Sequence, residues 1–161
     1  MKLIKSHAFG NDFLLVDAIE LPGGDRAALA RAVCDRHRGV GADGLLIFTV
    51  DGQRASMRLL NADGSPSEIS GNGLRCLAAW LAHEANAPVT SSITIETDAG
   101  PKVLQLLEHS DAGMTFRAAM GPPESLARVP LQVFMELDAC GVGARKLAHR
   151  GGARVVILRW P

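Results

Sequence analysis

The sequence predicts an α+β fold in which helices pack on a curved, mostly antiparallel sheet. Two observations predict it. Short apolar runs punctuated by Gly, Asp and Pro alternate with two helix-period segments, in the order strands, helix, strands, helix, strands. The 161 residues are also 47% apolar, which supplies one ordinary core and excludes a disordered chain.

The elements follow in order. KLIKSHAFGNDFLLVDA starts with a strand, breaks at Gly-Asn-Asp and continues as a second apolar strand over 13–16. LPGG (21–24) is a turn. Asp25 then caps a helix, DRAALARAVCDRHR, with Ala27, Leu29, Ala30, Val33 and Cys34 on its apolar side. GVGADG (39–44) is a glycine loop before the buried strand GLLIFTV. Asp51-Gly52 is a hairpin signal, and ASMRLLN pairs back. NADGSPSE (61–68) is a polar loop, and SGNG (70–73) leads into the helix LRCLAAWLAHEA. SSITIETDAG is an alternating strand. PKVLQLLEHS and MTFRAAMG form a hairpin across a turn at 111–113. GPP (121–123) breaks the chain and marks a lobe boundary. Beyond it, 131–134 reads as a strand, ACGVGARKLAHR as a turn entering a helix, and ARVVILRW as a strand.

Composition narrows the function classes. Acids and bases balance at 17 each, aromatics are 4% and Tyr is absent. A neutral chain with few rings suits neither nucleic acid nor an anionic lipid surface. The longest apolar runs, 45–48 and 77–81, are too short to cross a bilayer, and MKLIKSHAFGND lacks a secretory apolar stretch. Three cysteines outside any CxxC pair point to free thiols in a reducing cytoplasm. The five histidines are scattered, so a metal cluster is not expected.

Three glycine-rich loops carry the chemistry. Gly lets backbone N–H groups approach a ligand, and Asn offers donors and an acceptor. Any one of these loops alone reads as an ordinary turn. SGNG is the sharpest, because the amides of Gly71, Asn72 and Gly73 fall at a helix N-terminus, where an anion such as a carboxylate is held. Spacing alone makes Ser70 the N-cap of that helix. Cys76 shares a helix face with Ala79 and Trp80, and Cys34 lies on an apolar face, so both read as packing residues.

HAFGNDF (7–13), CDRHRGVGADGLL (34–46), MRLLNADGSPSEISGNGLRC (57–76), TDAG (97–100) and AAMGPP (118–123) together resemble the diaminopimelate epimerase family. The resemblance covers residues 1 to about 123, and five ordered motifs are far more specific than one glycine loop. It implies an isomerase of amino-acid (lysine and peptidoglycan precursor) biosynthesis that interconverts LL- and meso-diaminopimelate without pyridoxal phosphate or metal. It implies two similar lobes closing on a small-molecule substrate, with one cysteine each. One thiolate removes the α-proton while the opposite thiol delivers a proton to the other face. Carried over, Asn11 and Asn61 contact the substrate, and Gly71 and Asn72 hold the α-carboxylate. A homodimer is a further implication.

Two features depart from the family pattern. Ser70 stands where the family has Cys, in what is usually CGNG. A thiol ionises near a pKa of about 8.5, whereas a serine hydroxyl needs an adjacent base. Second, the length suits one lobe plus a tail. We expect 1–120 to form a diaminopimelate-epimerase-like N-terminal lobe, and 121–161 to be a short remnant of the second lobe or a divergent tail. MELDACGVGA (135–144) resembles the family's second-cysteine segment at Glu136, Ala139, Cys140, Gly141, Gly143 and Ala144, but departs at Leu137 and Val142. By that resemblance Cys140 is the remaining thiol base; the alternative is chance similarity in an Ala/Gly-rich tail. The expected function is therefore an epimerase-family isomerase with weak or absent turnover. The alternatives are a carboxylate-binding or partner-dependent lobe without turnover, and a non-functional remnant.

Overall fold

The structure is a computed structural model that describes residues 1–52, 54–110 and 113–120, and the strand backbone of 151–159. Within these residues the strands are β1 (Lys2–Ala8), β2 (Asn11–Asp17), β3 (Gly44–Asp51), β4 (Arg54–Asn61), β5 (Pro66–Ser67), β6 (Ser92–Glu96), β7 (Lys102–Ser110), β8 (Gly113–Ala119) and β9 (Gly151–Arg159). The helices are α1 (Arg26–Cys34) and α2 (Gly71–Glu84). The sheet runs β3-β2-β1-β9-β8-β7-β6-β4-β5, and β3 also pairs with β4, so it curls onto itself. Only β2–β3 and β4–β6 pair in parallel; the other neighbours are antiparallel. The expected α+β lobe, a curved and mostly antiparallel sheet around helices, is what forms.

Successive strand side chains face opposite ways, and here both faces are covered. Leu3, Leu14, Val16, Leu45 and Ile47 pack on Ala30, Val33 and Cys34 of α1. Their strand neighbours Ile4, Phe13, Leu15, Leu46 and Phe48 pack on Leu74, Leu77, Ala78 and Trp80 of α2. Two-sided burial explains why GLLIFTV reads as a continuous apolar run. Helix α2 is buried at every position from Gly73 to Trp80 and touches β1, β2, β6, β8 and β9. A helix apolar all round belongs inside, and the curled sheet encloses it.

The turn between β1 and β2 is a tight hairpin with φ of +51° at Phe9 and +85° at Gly10. Phe9 is 57% exposed, and its ring lies 5.7 Å from the Arg75 guanidinium carbon. The strand foreseen at ARVVILRW is β9, hydrogen-bonded between β1 and β8. The elements foreseen at 131–134 and 139–150 lie outside the described residues.

Helix α1 ends four residues before the expected limit of Arg38. The Asp35 carboxylate accepts the N–H groups of His37 (2.7 Å) and Arg38 (2.9 Å), which forms a separate turn. The glycine loop then folds back on the helix end, where Val40 and Gly41 donate to Val33 O and Ala42 donates to Cys34 O. A side chain at residue 39 would collide with the carbonyls of Ala32 and Val33, so only glycine fits there. Two short elements were not foreseen: a 3-10 turn at Ala18–Glu20, capped by Asp17, and β5. No helix among the described residues is long and apolar enough to cross a membrane.

Candidate active site

Three loops meet at the N-terminal end of α2. Ser70 is extended (φ −132°, ψ 121°), and its Oγ accepts the N–H of Gly73 at 3.1 Å. Its carbonyl accepts from Leu74 at 2.8 Å. Ser70 is thus the N-cap that its spacing predicts. No acidic or basic side chain among the described residues hydrogen-bonds its hydroxyl. The N–H groups of Gly71 and Asn72 belong to the same helix start, and neither bonds another described residue.

Asn72 reaches back across the chain. Its Nδ2 donates to Asn11 Oδ1 at 2.7 Å, although 61 positions separate the two residues. Asn11 Nδ2 in turn donates to Asp43 Oδ2 at 3.2 Å. Asn61 pairs with Gly44 across β3 and β4, beside the same loop. Its carboxamide nonetheless stays within its own turn, donating to Ser65 Oγ at 2.9 Å. The structure therefore joins Asn11 and Asn72 directly, with Gly71 beside them, and sets Asn61 at the end of β4. Cys140 lies outside the described residues.

Sequence reasoning missed the charged ring beneath these amides. Arg36 donates to Asp12 at 2.6 and 3.1 Å and to Asp43 at 2.8 Å, while Lys5 pairs with Asp12 at 3.1 Å. The Arg36 guanidinium holds the Asp12 carboxyl down at about 2, against an opposing effect of burial, with Lys5 assisting. Arg36 is itself held more firmly protonated by Asp12 and Asp43. The available signal was the set of acids and bases inside the same glycine motifs, HAFGND and DRHRGVGAD.

Arg75, 8% exposed, curls over the first turn of α2 and donates to Gly71 O at 3.0 Å. Burial lowers its pKa. Cys76 and Cys34 are 0% and 2% exposed, and burial raises their thiols to about 12 and about 11. Both are thus the packing residues expected, kept as neutral thiols far from a base's working range. No group of metal-binding side chains occurs among the described residues.

Residues 3–126 match the family profile described as Diaminopimelate epimerase. This chain belongs to the diaminopimelate epimerase family. It is 40% identical over 124 residues to the diaminopimelate epimerase of Methanococcus maripaludis strain C6, covering 76% of this chain and 44% of that relative. The chain thus spans less than half the length of these curated relatives. In fold it is similar to a Bacillus anthracis phenazine biosynthesis protein of the PhzF family (TM-score 0.56, 20% identity, 73% of this chain and 40% of that one). It is also similar to a hydroxyproline epimerase from Agrobacterium vitis (TM-score 0.54, 18% identity, 73% and 41%). These two likenesses concern the fold alone.

Proposed function

We propose that this chain holds diaminopimelate, or a closely related amino acid, at the start of α2, and that proton transfer from this lobe is weak or absent. One observation carries the reading. The N–H groups of Gly71 and Asn72, without a partner among the described residues, stand beside the Asn72–Asn11 pair, while the residue at the base position, Ser70, caps Gly73 with its hydroxyl. Such a helix start suits a carboxylate. Removing the adjacent α-proton is harder, because it is a very weak acid. A thiolate at position 70 could act as the base; a capping serine without a partner base is a poor one.

The proposal keeps the remaining family features as expectations of this chain. Asn11 and Asn61 contact the ligand, no cofactor takes part, and Cys140 supplies the opposing thiol. A second copy of the chain, in a homodimer, is the partner that the family resemblance implies. A reducing cytoplasm suits the free thiols. The division at about residue 120 belongs to the same proposal.

Calorimetry with LL-diaminopimelate tests the reading. Binding is expected without formation of the meso isomer, and Asn72→Ala is expected to weaken it about tenfold, because it removes the Asn72–Asn11 pair that borders the two N–H groups. Heat of binding unaltered by Asn72→Ala, or conversion to meso product at an ordinary enzymatic rate, would sink the proposal. Sedimentation of the same sample tests the dimer; a monomer at all concentrations removes it.

A further inference from the structure

Asp43 decides which way two neighbouring carboxamides face. A carboxamide has the same shape whether its oxygen or its NH2 points forward, so only its partners set its direction. An ionised carboxylate can only accept. Asp43 Oδ2 accepts from the backbone N–H of Asp12 (3.1 Å) and from Asn11 Nδ2 (3.2 Å), and Oδ1 accepts from Arg36 (2.8 Å). Asn11 must therefore turn its NH2 to Asp43 and its oxygen to the other side. Asn72 meets that oxygen with its own NH2 at 2.7 Å. Its Oδ1 is then left facing Arg75, 3.5 Å away.

The direction runs one way, from a guanidinium at one end to a carboxylate at the other. Asp43 is itself tightly held. Its N–H donates to Asp12 O at 2.9 Å, and its carbonyl accepts from Ala62 at 3.0 Å. Gly44 beside it leaves no room for a side chain, since an added Cβ would lie 2.7 Å from Leu60 O.

We propose that Asp43, held by Arg36, is a positioning residue for the ligand site. It locks Asn11 and Asn72 in one orientation and leaves each with one carboxamide N–H for an acceptor such as a carboxylate. The role rests on the functional reading above, which gives these asparagines a ligand. The lock itself rests on hydrogen-bond chemistry and is measurable without ligand.

The test substitutes Asp43→Asn in the full chain. An amide there has one accepting oxygen for the three donors that Asp43 serves. In nitrogen-15 correlation spectra without ligand, the side-chain NH2 signals of Asn11 and Asn72 are expected to shift and broaden. Affinity for LL-diaminopimelate is expected to fall about tenfold. Arg36→Gln leaves every carboxamide partner in place and is expected to move the same two signals by less. It also serves as the second variant should Asp43→Asn fail to fold. A double variant, Asp43→Asn with Asn72→Asp, offers Asn11 an acceptor in the reversed direction. It should sharpen the Asn11 signal again without restoring affinity. Unmoved Asn11 and Asn72 signals in both single variants would overturn the lock. Moved signals with unchanged affinity would overturn its role at the site. If the wild type binds no diaminopimelate while the signals still move, the functional reading fails and the lock stands.

Discussion

The two helices of this lobe begin alike and end up in different roles. Asp25 caps α1 by accepting from Ala27 at 2.8 Å, and Ser70 caps α2 by accepting from Gly73 at 3.1 Å. Asp25 stands in the open, with 64% of its side chain exposed and a long contact to Arg31 at 3.8 Å. Ser70 opens an enclosed helix whose first turn is met by Asn11, Arg75 and, through Asn11, by Asp43. A side-chain N-cap thus starts a surface helix in one place and borders a candidate site in the other. What distinguishes them is not the cap but the convergence of loops around it.

The largest expected difference between the helices is in stability. Leu77 of α2 is fully buried, so Leu77→Ala is expected to cost ~3–5 kcal/mol in denaturant unfolding. Leu29 of α1 is only partly buried, and Leu29→Ala is expected to cost about 1 kcal/mol. Equal losses would contradict α2 as the enclosed element.

The charged ring below the α2 site, which the start of α1 lacks, has a pH signature. The Asp12 carboxyl is held at about 2 in the folded chain, below its ordinary 3.8, and 17% of its side chain is exposed. A depressed acid favours the fold above its unfolded pKa, and that contribution disappears as pH falls through the folded value. About 2 kcal/mol of stability should therefore be lost between roughly pH 4 and pH 2. Asp12→Asn is expected to flatten this part of the stability profile, and an unchanged acid transition would refute the ring.

The caps themselves are expected to matter equally. Ser70→Ala and Asp25→Ala should each cost about 1 kcal/mol. A Ser70→Ala chain as stable as wild type would remove the capping role. The smallest effect is chemical: in the folded chain at neutral pH, Cys34 and Cys76 should stay unlabelled by a thiol reagent, because burial keeps both protonated. Peptide mapping reads this directly, and rapid labelling of Cys76 would contradict its place inside the sheet.

Much of the lobe was legible because its signals are local. Alternation and turn residues fixed the paired strands, and Asp25 and Ser70 announced both helix starts. The end of α1 was misjudged because Asp35 competes for the backbone, an effect that helix periodicity does not register. β5 is too short, at 2 residues, to have a pattern of its own. In the site, the amides of Gly71 and Asn72 were legible from SGNG standing at a helix start, whereas Asn11 and Asn61 came from the family motifs. The Arg36–Asp12 and Asp43–Asp12 bonds were not legible, since their partners stand 24 and 31 positions apart. Only the closing of the sheet brings them together. The glycines of 39–44, which resemble a ligand cradle in sequence, chiefly let that loop pack on α1 and deliver Asp43.

The central claim is that Ser70 caps α2 and is not a working base. The most direct measurement follows α-proton exchange of LL-diaminopimelate in deuterated water, with wild type and Ser70→Cys compared side by side. Wild type is expected to match the buffer background, and Ser70→Cys to exceed it by about 100-fold or more, the usual contribution of a positioned base. Wild-type exchange as fast as that of Ser70→Cys would contradict the account.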